Sequence, residues 1–326
     1  MFDVSSDSVS GLSEVVNDAL YLTADDVDAI SNLLEAEDIH YCNEAFAEYY
    51  WQCYMASYLL PESIQRKLFQ VKSRCFDHQF LIRRLPIPPG LGPTPIVRGL
   101  PSCKAALKVR KMMTIILSRM GFIYGFNNKK FFDFIDDVFP LETDKHEQLG
   151  TNKDFLEWHV EDGFHEAKAD WVALCCLRQD PDAYTYLFHA KDIDLDSQHM
   201  AALKREEFVI EVDKTFNRKY EKEKRIAVLS EHDDPEIVYD PAYMRCLTPQ
   251  AKAAFRELHH FISEKKQVIH LESGDLLVFD NRRTVHARSA YEPMYDGTDR
   301  WLLRALILES KFKARQTLVA DKYRVV

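Results

Sequence analysis

Apolar residues recur at helical spacing over four stretches of the first 120 or so residues, 24–36, 42–58, 62–74 and 102–119, and this periodicity predicts four amphipathic helices. Asp25 and Asp26 open the first with acidic residues, and Ser102 is placed to cap the last. Between the third and fourth, LPIPPGLGPTP (85–95) forbids a continuous helix and reads as an extended, rigid connector. From about residue 122 the pattern shortens to runs rich in Val, Ile, Leu, Phe and Trp, at 155–160, 170–177, 207–212, 225–229, 267–271, 275–280 and 301–309. Turn signals such as Ser273-Gly274-Asp275 and Asp296-Gly297-Thr298 punctuate them, which predicts a two-sheet sandwich or jelly roll rather than a parallel α/β sheet. Two helical inserts are expected near 195–205 and 248–265, the second capped by Thr248 with Pro249 in its first turn. The charged segment DKTFNRKYEKEKR (213–225) breaks the strand pattern and reads as a solvated loop or as a mobile lid over a site.

The 326 residues, 46% of them hydrophobic, suffice for a substantial core in one large domain or two small ones. A net charge of −10 without long basic runs makes nucleic acid a poor partner. The opening MFDVSSDSVSGLSEVV lacks the basic start and apolar stretch of a secretory signal. Polar residues interrupt every apolar run before the roughly 18 residues that a membrane span needs. Seven cysteines, an odd number with no CxxC pair, fit reduced thiols and a cytoplasmic protein.

A histidine and a carboxylate two apart on a strand point to one face, so both can reach one metal ion. Among 12 histidines and 52 acids such pairs arise by chance, and three occur: His159/Glu161, His232/Asp234 and His270/Glu272. Context separates them. His159 and Glu161 end the strand-like FLEWHV; His232 lies in the turn-like EHDDP; His270 and Glu272 enter the turn at Ser273-Gly274. Further on, His286 stands just beyond one strand and Arg300 at the start of another. Arg300 and Arg304 share strand parity on an otherwise apolar run, and an inward arginine is costly unless it meets an anion. A dicarboxylate would meet that need through a bidentate pair; a protein carboxylate is the structural alternative for either arginine.

The segments LEWHVEDGFHEAKADWVALCCLR (156–178) and GDLLVFDNRRTVHARSAYEPMYDGTDRWLLR (274–304) resemble the clavaminate synthase-like group of iron(II)/2-oxoglutarate oxygenases, above all bacterial hydroxylases of free L-amino acids such as arginine, asparagine and lysine. Weaker likeness runs through DDVFP and HEQLGT, so 120–326 is covered. The resemblance implies an α+β protein with a double-stranded β-helix core, a distorted jelly roll, behind a helical N-terminal part and with helical inserts. The chain would form a single oxygenase domain, 1–326, with 1–120 mostly helical, the core over 121–326 and a lid near 213–235. It implies iron(II) on His159, Glu161 and His286, 2-oxoglutarate on Arg300, and O2 as the other cosubstrate. For a small amino-acid substrate it implies Arg304 at the carboxylate, Glu161 near the ammonium and Asp240, in VYDPAYM, at the side chain. One departure concerns a glutamine that relatives carry before DDVFP; here GFNNKKFF offers Asn128, or Asn127, in its place.

The implied activity is hydroxylation at C3 or C4 of a basic amino acid, lysine before arginine, with succinate and CO2 released. Asparagine, citrulline, or a larger or carrier-tethered metabolite are alternatives, and a cupin-like metal-binding domain without turnover is a rival from another class. Glu161 fills the position that is a small residue in halogenating relatives, which favours hydroxylation, with desaturation as another outcome. His165 is a candidate for support of the metal ligands or for simple packing.

Overall fold

A computed structural model describes residues 19–36, 38–73, 78–99, 103–127, 133–212, 216, 224–319 and 323–326. The N-terminal helices form where the periodicity places them: α1 (Ala24–Ala36), α2 (Phe46–Ala56), α3 (Glu62–Ser73) and α4 (Lys104–Leu117). Helix α1 opens on a reciprocal cap, in which Thr23 N donates to Asp26 Oδ2 (3.1 Å) and Asp26 N to Thr23 Oγ1 (3.2 Å). Cys103, whose side chain makes no capping bond, is the N-cap of α4; Ser102, expected there, lies outside the described residues. The N-terminal part is not helical throughout. It also supplies β1 (Ala19–Tyr21) and β2 (Gln79–Arg83), and β2 adds antiparallel to the main sheet.

The strands that follow are β3 (Phe122–Phe126), β4 (Ile135–Val138), β5 (Leu156–His159), β6 (Trp171–Arg178), β7 (Tyr184–His189), β8 (Phe208–Ile210) and β9 (Lys224–Ile226). After them come β10 (Met244–Cys246), β11 (Gln267–His270), β12 (Leu276–Asp280), β13 (Thr284–Arg288), β14 (Trp301–Leu308) and β15 (Arg324–Val325). The inserts are α5 (Ser197–Leu203) and α6 (Pro249–Lys265), with Thr248 Oγ1 accepting from Ala251 N (3.1 Å) and proline in the first turn of α6, as expected. Among the described strands, β1, β2, β3, β4, β7, β10, β13 and β15 lie outside the apolar runs of the sequence. In β13 (TVHAR) polar side chains occupy the alternate positions, in β4 (IDDV) they occupy the two middle ones, and His286 sits in the middle of β13 rather than beyond a strand.

The main sheet runs β1-β2-β12-β6-β14-β3-β15, with β4 also pairing with β14; the second sheet runs β11-β7-β13-β5; a small sheet, β10-β8-β9, stands apart. Alternation along β6 and β14 shows how these layers stack. Trp171, Ala173, Cys175 and Leu177, with Trp301, Leu303, Ala305 and Ile307, pack on the helical layer. Val172, Leu174, Cys176, Leu302 and Leu306 instead meet Leu187 and Ile269 of the second sheet. The outer face of the second sheet, through Trp158, Val160, Val285 and Ala287, rests on α5 and α6. This is the expected double-stranded β-helix, a distorted jelly roll whose two sheets enclose the even-numbered positions of β14. Of the expected lid, 213–215 and 217–223 lie outside the described residues, while Phe216 is buried against Phe126 and Phe164. No helix among the described residues is long and apolar enough to cross a membrane, and the six described cysteines are free.

The turn into β12 is tightly constrained. Gly274 has φ +90° and its carbonyl accepts from Leu85 N (2.8 Å), so a Cβ would stand 2.5 Å from Leu85 O. Gly274→Ala should therefore cost roughly 1–3 kcal/mol, seen as a lower melting temperature; an unchanged melting curve would contradict this reading of the turn.

Candidate metal and cosubstrate site

Strand pairing brings the first histidine pair together. His159, the last residue of β5, is the cross-strand partner of His286 on β13, and their rings lie 4.0 Å apart between centroids. Glu161 follows two residues on. Its Oε2 is 4.0 Å from His159 Nε2 and 3.8 Å from His286 Nε2, too far for hydrogen bonds but suited to sharing one ion. Among the described residues this is the one group of three or more such side chains whose ligand atoms lie within 4.8 Å of one another. His159 Nδ1 donates to Glu157 O (2.7 Å), because a carbonyl can only accept, and that leaves the Nε2 lone pair facing the cluster. Burial, then the neighbouring His159, pushes His286 well below the ordinary histidine value, so it stands as a neutral imidazole.

Glu161 is oriented from two directions. Arg304 NH1 donates to its Oε1 (2.6 Å), which leaves Oε2 turned toward the histidines. Its backbone is clamped by Asn281, fully buried, whose Oδ1 accepts from Glu161 N (2.7 Å) while Nδ2 donates to Glu161 O (3.0 Å) and Ala169 O (3.2 Å). Arg304 also donates through NH2 to Asp136 Oδ2 (2.8 Å). Burial alone would lower the Arg304 pKa, but Glu161 and Asp136 outweigh it and hold it above the ordinary value. Arg300 behaves differently. It is buried, its NH2 reaches Thr185 Oγ1 at 3.4 Å, and no carboxylate among the described residues forms an ion pair with it. Burial accordingly pushes its pKa below the ordinary arginine value.

Comparison with known proteins bears directly on this arrangement. A family model described as Taurine catabolism dioxygenase TauD, TfdA family, matches residues 188–306, a span that holds His286, Arg300 and Arg304. L-asparagine oxygenase of Streptomyces coelicolor is 32% identical over 253 residues, 76% of this chain and 76% of its own. The chain belongs to the clavaminate synthase-like iron(II)/2-oxoglutarate-dependent oxygenases. Two further relatives of this oxygenase are the enduracididine beta-hydroxylase of Streptomyces hygroscopicus, 26% identical over 94% of this chain and 99% of its own, and the L-lysine 3-hydroxylase of Catenulispora acidiphila, 27% identical over 90% and 83%. A crystal structure of asparagine oxygenase with Fe(II), 2S,3S-3-hydroxyasparagine and succinate matches it with a TM-score of 0.85 at 28% identity, covering 94% of this chain and 98% of that one.

The oxygenase is thus an enzyme of the amino-acid hydroxylase family that uses iron(II) and 2-oxoglutarate. Its own side chains fit both. Two imidazole nitrogens and one carboxylate oxygen on adjoining strands form a donor set suited to iron(II) with positions left open, and Arg300 is a buried cation suited to a carboxylate. When bound, iron and 2-oxoglutarate together supply O2-dependent oxidation of a C–H bond.

The other sequence candidates fall outside this cluster. Asp234 pairs with Arg283 (2.6 Å), His270 Nε2 with Asp180 O (3.0 Å), and Glu272 lies 3.9 Å from Arg83. His165 accepts from Ala167 N through Nδ1 (3.0 Å) and meets Val326 O through Nε2 (3.2 Å) in the loop after Glu161. Asp240 begins next to the site, since Tyr239 O accepts from Val160 N (3.1 Å), between the two proximal ligands; its Oδ1 accepts from Ala242 N (3.1 Å). Asn128 lies outside the described residues, and Asn127 is exposed at the end of β3. Two residues went unnoticed in the sequence. Asn281 carries no periodic signal, and Asp136 was visible only as part of DDVFP.

Because Asn281 holds Glu161 through its backbone, Asn281→Ala should leave a folded protein whose iron(II) affinity falls about 10–100-fold. Anaerobic metal titration measures this, and wild-type affinity in the variant would show that Glu161 is held by other means.

Proposed function

We propose that this oxygenase hydroxylates a free L-amino acid at an unactivated C3 or C4, releasing succinate and CO2, and that the substrate carries a cationic side chain, lysine before arginine. The observation that carries the reading is the contrast between the two arginines of one strand face: Arg304 meets protein carboxylates, whereas Arg300 is buried without one among the described residues. In this reading His159, Glu161 and His286 hold the iron, Arg300 takes the distal carboxylate of 2-oxoglutarate, and O2 is the other cosubstrate. Arg304 receives the substrate carboxylate, Glu161 lies near its ammonium, and Asp240 pairs with the side-chain cation. The whole chain acts as one oxygenase domain.

Support for a free amino acid comes from the relatives, named for L-lysine, L-asparagine and enduracididine. Support for a cation comes from Asp240, the single carboxylate of IVYDPAYM in the loop tied to the strand of the proximal ligands, which suits a compact ammonium better than a guanidinium fork. The asparagine oxygenase favours a second reading, a neutral amide as substrate, because one carboxylate can also accept from an amide.

Arg300→Lys should raise the KM for 2-oxoglutarate at least about tenfold with the amino-acid KM little changed, since a point charge does not replace a bidentate fork. If amino-acid binding alone falls, the roles of Arg300 and Arg304 are exchanged. Succinate release should be stimulated by lysine or arginine, and Asp240→Asn should lower kcat/KM for lysine by about a hundredfold or more, because the substrate cation loses its partner. Stimulation by asparagine or citrulline alone would overturn the cationic assignment and support the neutral one.

A further inference from the structure

Asp136 is the charged group beside the cluster to which the reading above gives no task. It is the cross-strand partner of Arg304 in the β4–β14 pairing, and its Oδ2 lies 2.8 Å from Arg304 NH2. Its neighbour Asp137 faces the other way, toward Arg110 (2.6 Å) and Trp301 Nε1 (2.8 Å), so β4 is pinned from the helical layer and Asp136 cannot exchange faces with it. Both members of the Asp136–Arg304 pair retain access to open space, with side chains 25% and 21% exposed, unlike Glu161 at 8%.

Charge matching suggests what this pair is for. Glu161 and one end of a 2-oxoglutarate dianion balance an iron(II) ion, and Arg300 balances the other end. Arg304 and Asp136 then remain as one cation and one anion, side by side, which is the complement of an amino-acid zwitterion. In a zwitterion the ammonium is attached to the carbon next to the carboxylate, so a carboxylate on Arg304 brings the ammonium beside the acids that flank Arg304. Those in ion-pair contact with it are Glu161 and Asp136. Glu161 is engaged by Arg304 through Oε1 and turns Oε2 to the histidines, whereas Asp136 has a second oxygen, Oδ1, with no hydrogen bond among the described residues.

We propose that Asp136 receives the substrate's α-ammonium group while Arg304 receives its α-carboxylate, so that the Arg304–Asp136 pair opens into two ion pairs with the substrate. An unblocked α-amine is then a requirement for binding. A neutral amide at this position would leave Arg304 as the complement of a carboxylate alone, and an N-acylated acid would fit as well as a free one. The proposal rests on the reading of the substrate as a free amino acid.

The test is anaerobic calorimetry on the protein loaded with iron(II) and 2-oxoglutarate, with L-lysine, L-arginine and L-asparagine as probes, then the Nα-acetyl form of whichever binds. The wild-type protein should prefer the free form by roughly tenfold to a hundredfold, the worth of a charged hydrogen bond. Asp136→Asn should lose that preference by weakening the free form alone, with 2-oxoglutarate affinity unchanged as the sign of an intact fold. Asp136→Glu, which keeps the charge, should retain the preference and decides the matter if the asparagine variant does not fold. A free amino acid bound equally well by Asp136→Asn and wild type, equal losses for free and acetylated forms, or a preference lost in Asp136→Glu would overturn the proposal. Binding of none of the three free amino acids by the wild-type protein would instead overturn the free-amino-acid reading, and the proposal with it.

Discussion

A guanidinium lodged between two sheets needs an anion, and β14 brings the partly exposed Arg304 there, with the buried Arg300 immediately before its first residue. Odd positions of the strand pack on the helical layer, so the even positions face the second sheet, among Leu302 and Leu306. Arg304 meets Glu161 and Asp136 and thereby fixes which oxygen of Glu161 faces the histidines. Arg300 meets a threonine hydroxyl and no carboxylate among the described residues, which suits the proposed place for an acidic cosubstrate. The arrangement of Glu161, Arg300 and Arg304, the proposed metal ligand, cosubstrate anchor and substrate contact, thus follows from one strand with apolar layers on both faces.

The surrounding structure makes this arrangement rigid. Cross-strand pairing of β5 with β13 sets His159 against His286, and the Asn281 clamp joins the end of β12 to the residues after β5. On the far side, Arg110 of α4 is buried and reaches Asp133, Asp137 and Ile135 O, so the helical layer holds β4 in register with β14. The N-terminal helices are therefore more than a cover: through Arg110 they place Asp136.

Much of this was legible because it depends on period and spacing. Helices α1 to α4 and α6 show a 3.6-residue pattern with end signals, and β6, β12 and β14 are continuous apolar runs because both of their faces are buried. Strand parity marked His159/Glu161 as one of three such pairs, and the family resemblance singled it out together with His286 and Arg300. What could not be read was set by tertiary contact. Strand β13 carries Thr284, His286 and Arg288 toward the site and so loses the apolar character that marks a strand. Strand β2 lies in a helical stretch and becomes a strand by pairing with β12. Asp136 and Asp137 read as an ordinary acidic pair until the fold turns one toward Arg304 and the other toward Arg110.

His159, Glu161 and His286 are proposed to form one iron site next to an anchor for 2-oxoglutarate. Anaerobic titration of iron(II) into the protein with 2-oxoglutarate present, followed by the visible charge-transfer absorption of the chelated 2-oxo acid, tests it most directly. Saturation at one equivalent of iron is expected in the wild-type protein, and loss of the band in folded His159→Ala and His286→Ala proteins. A band of wild-type strength in either variant would contradict it.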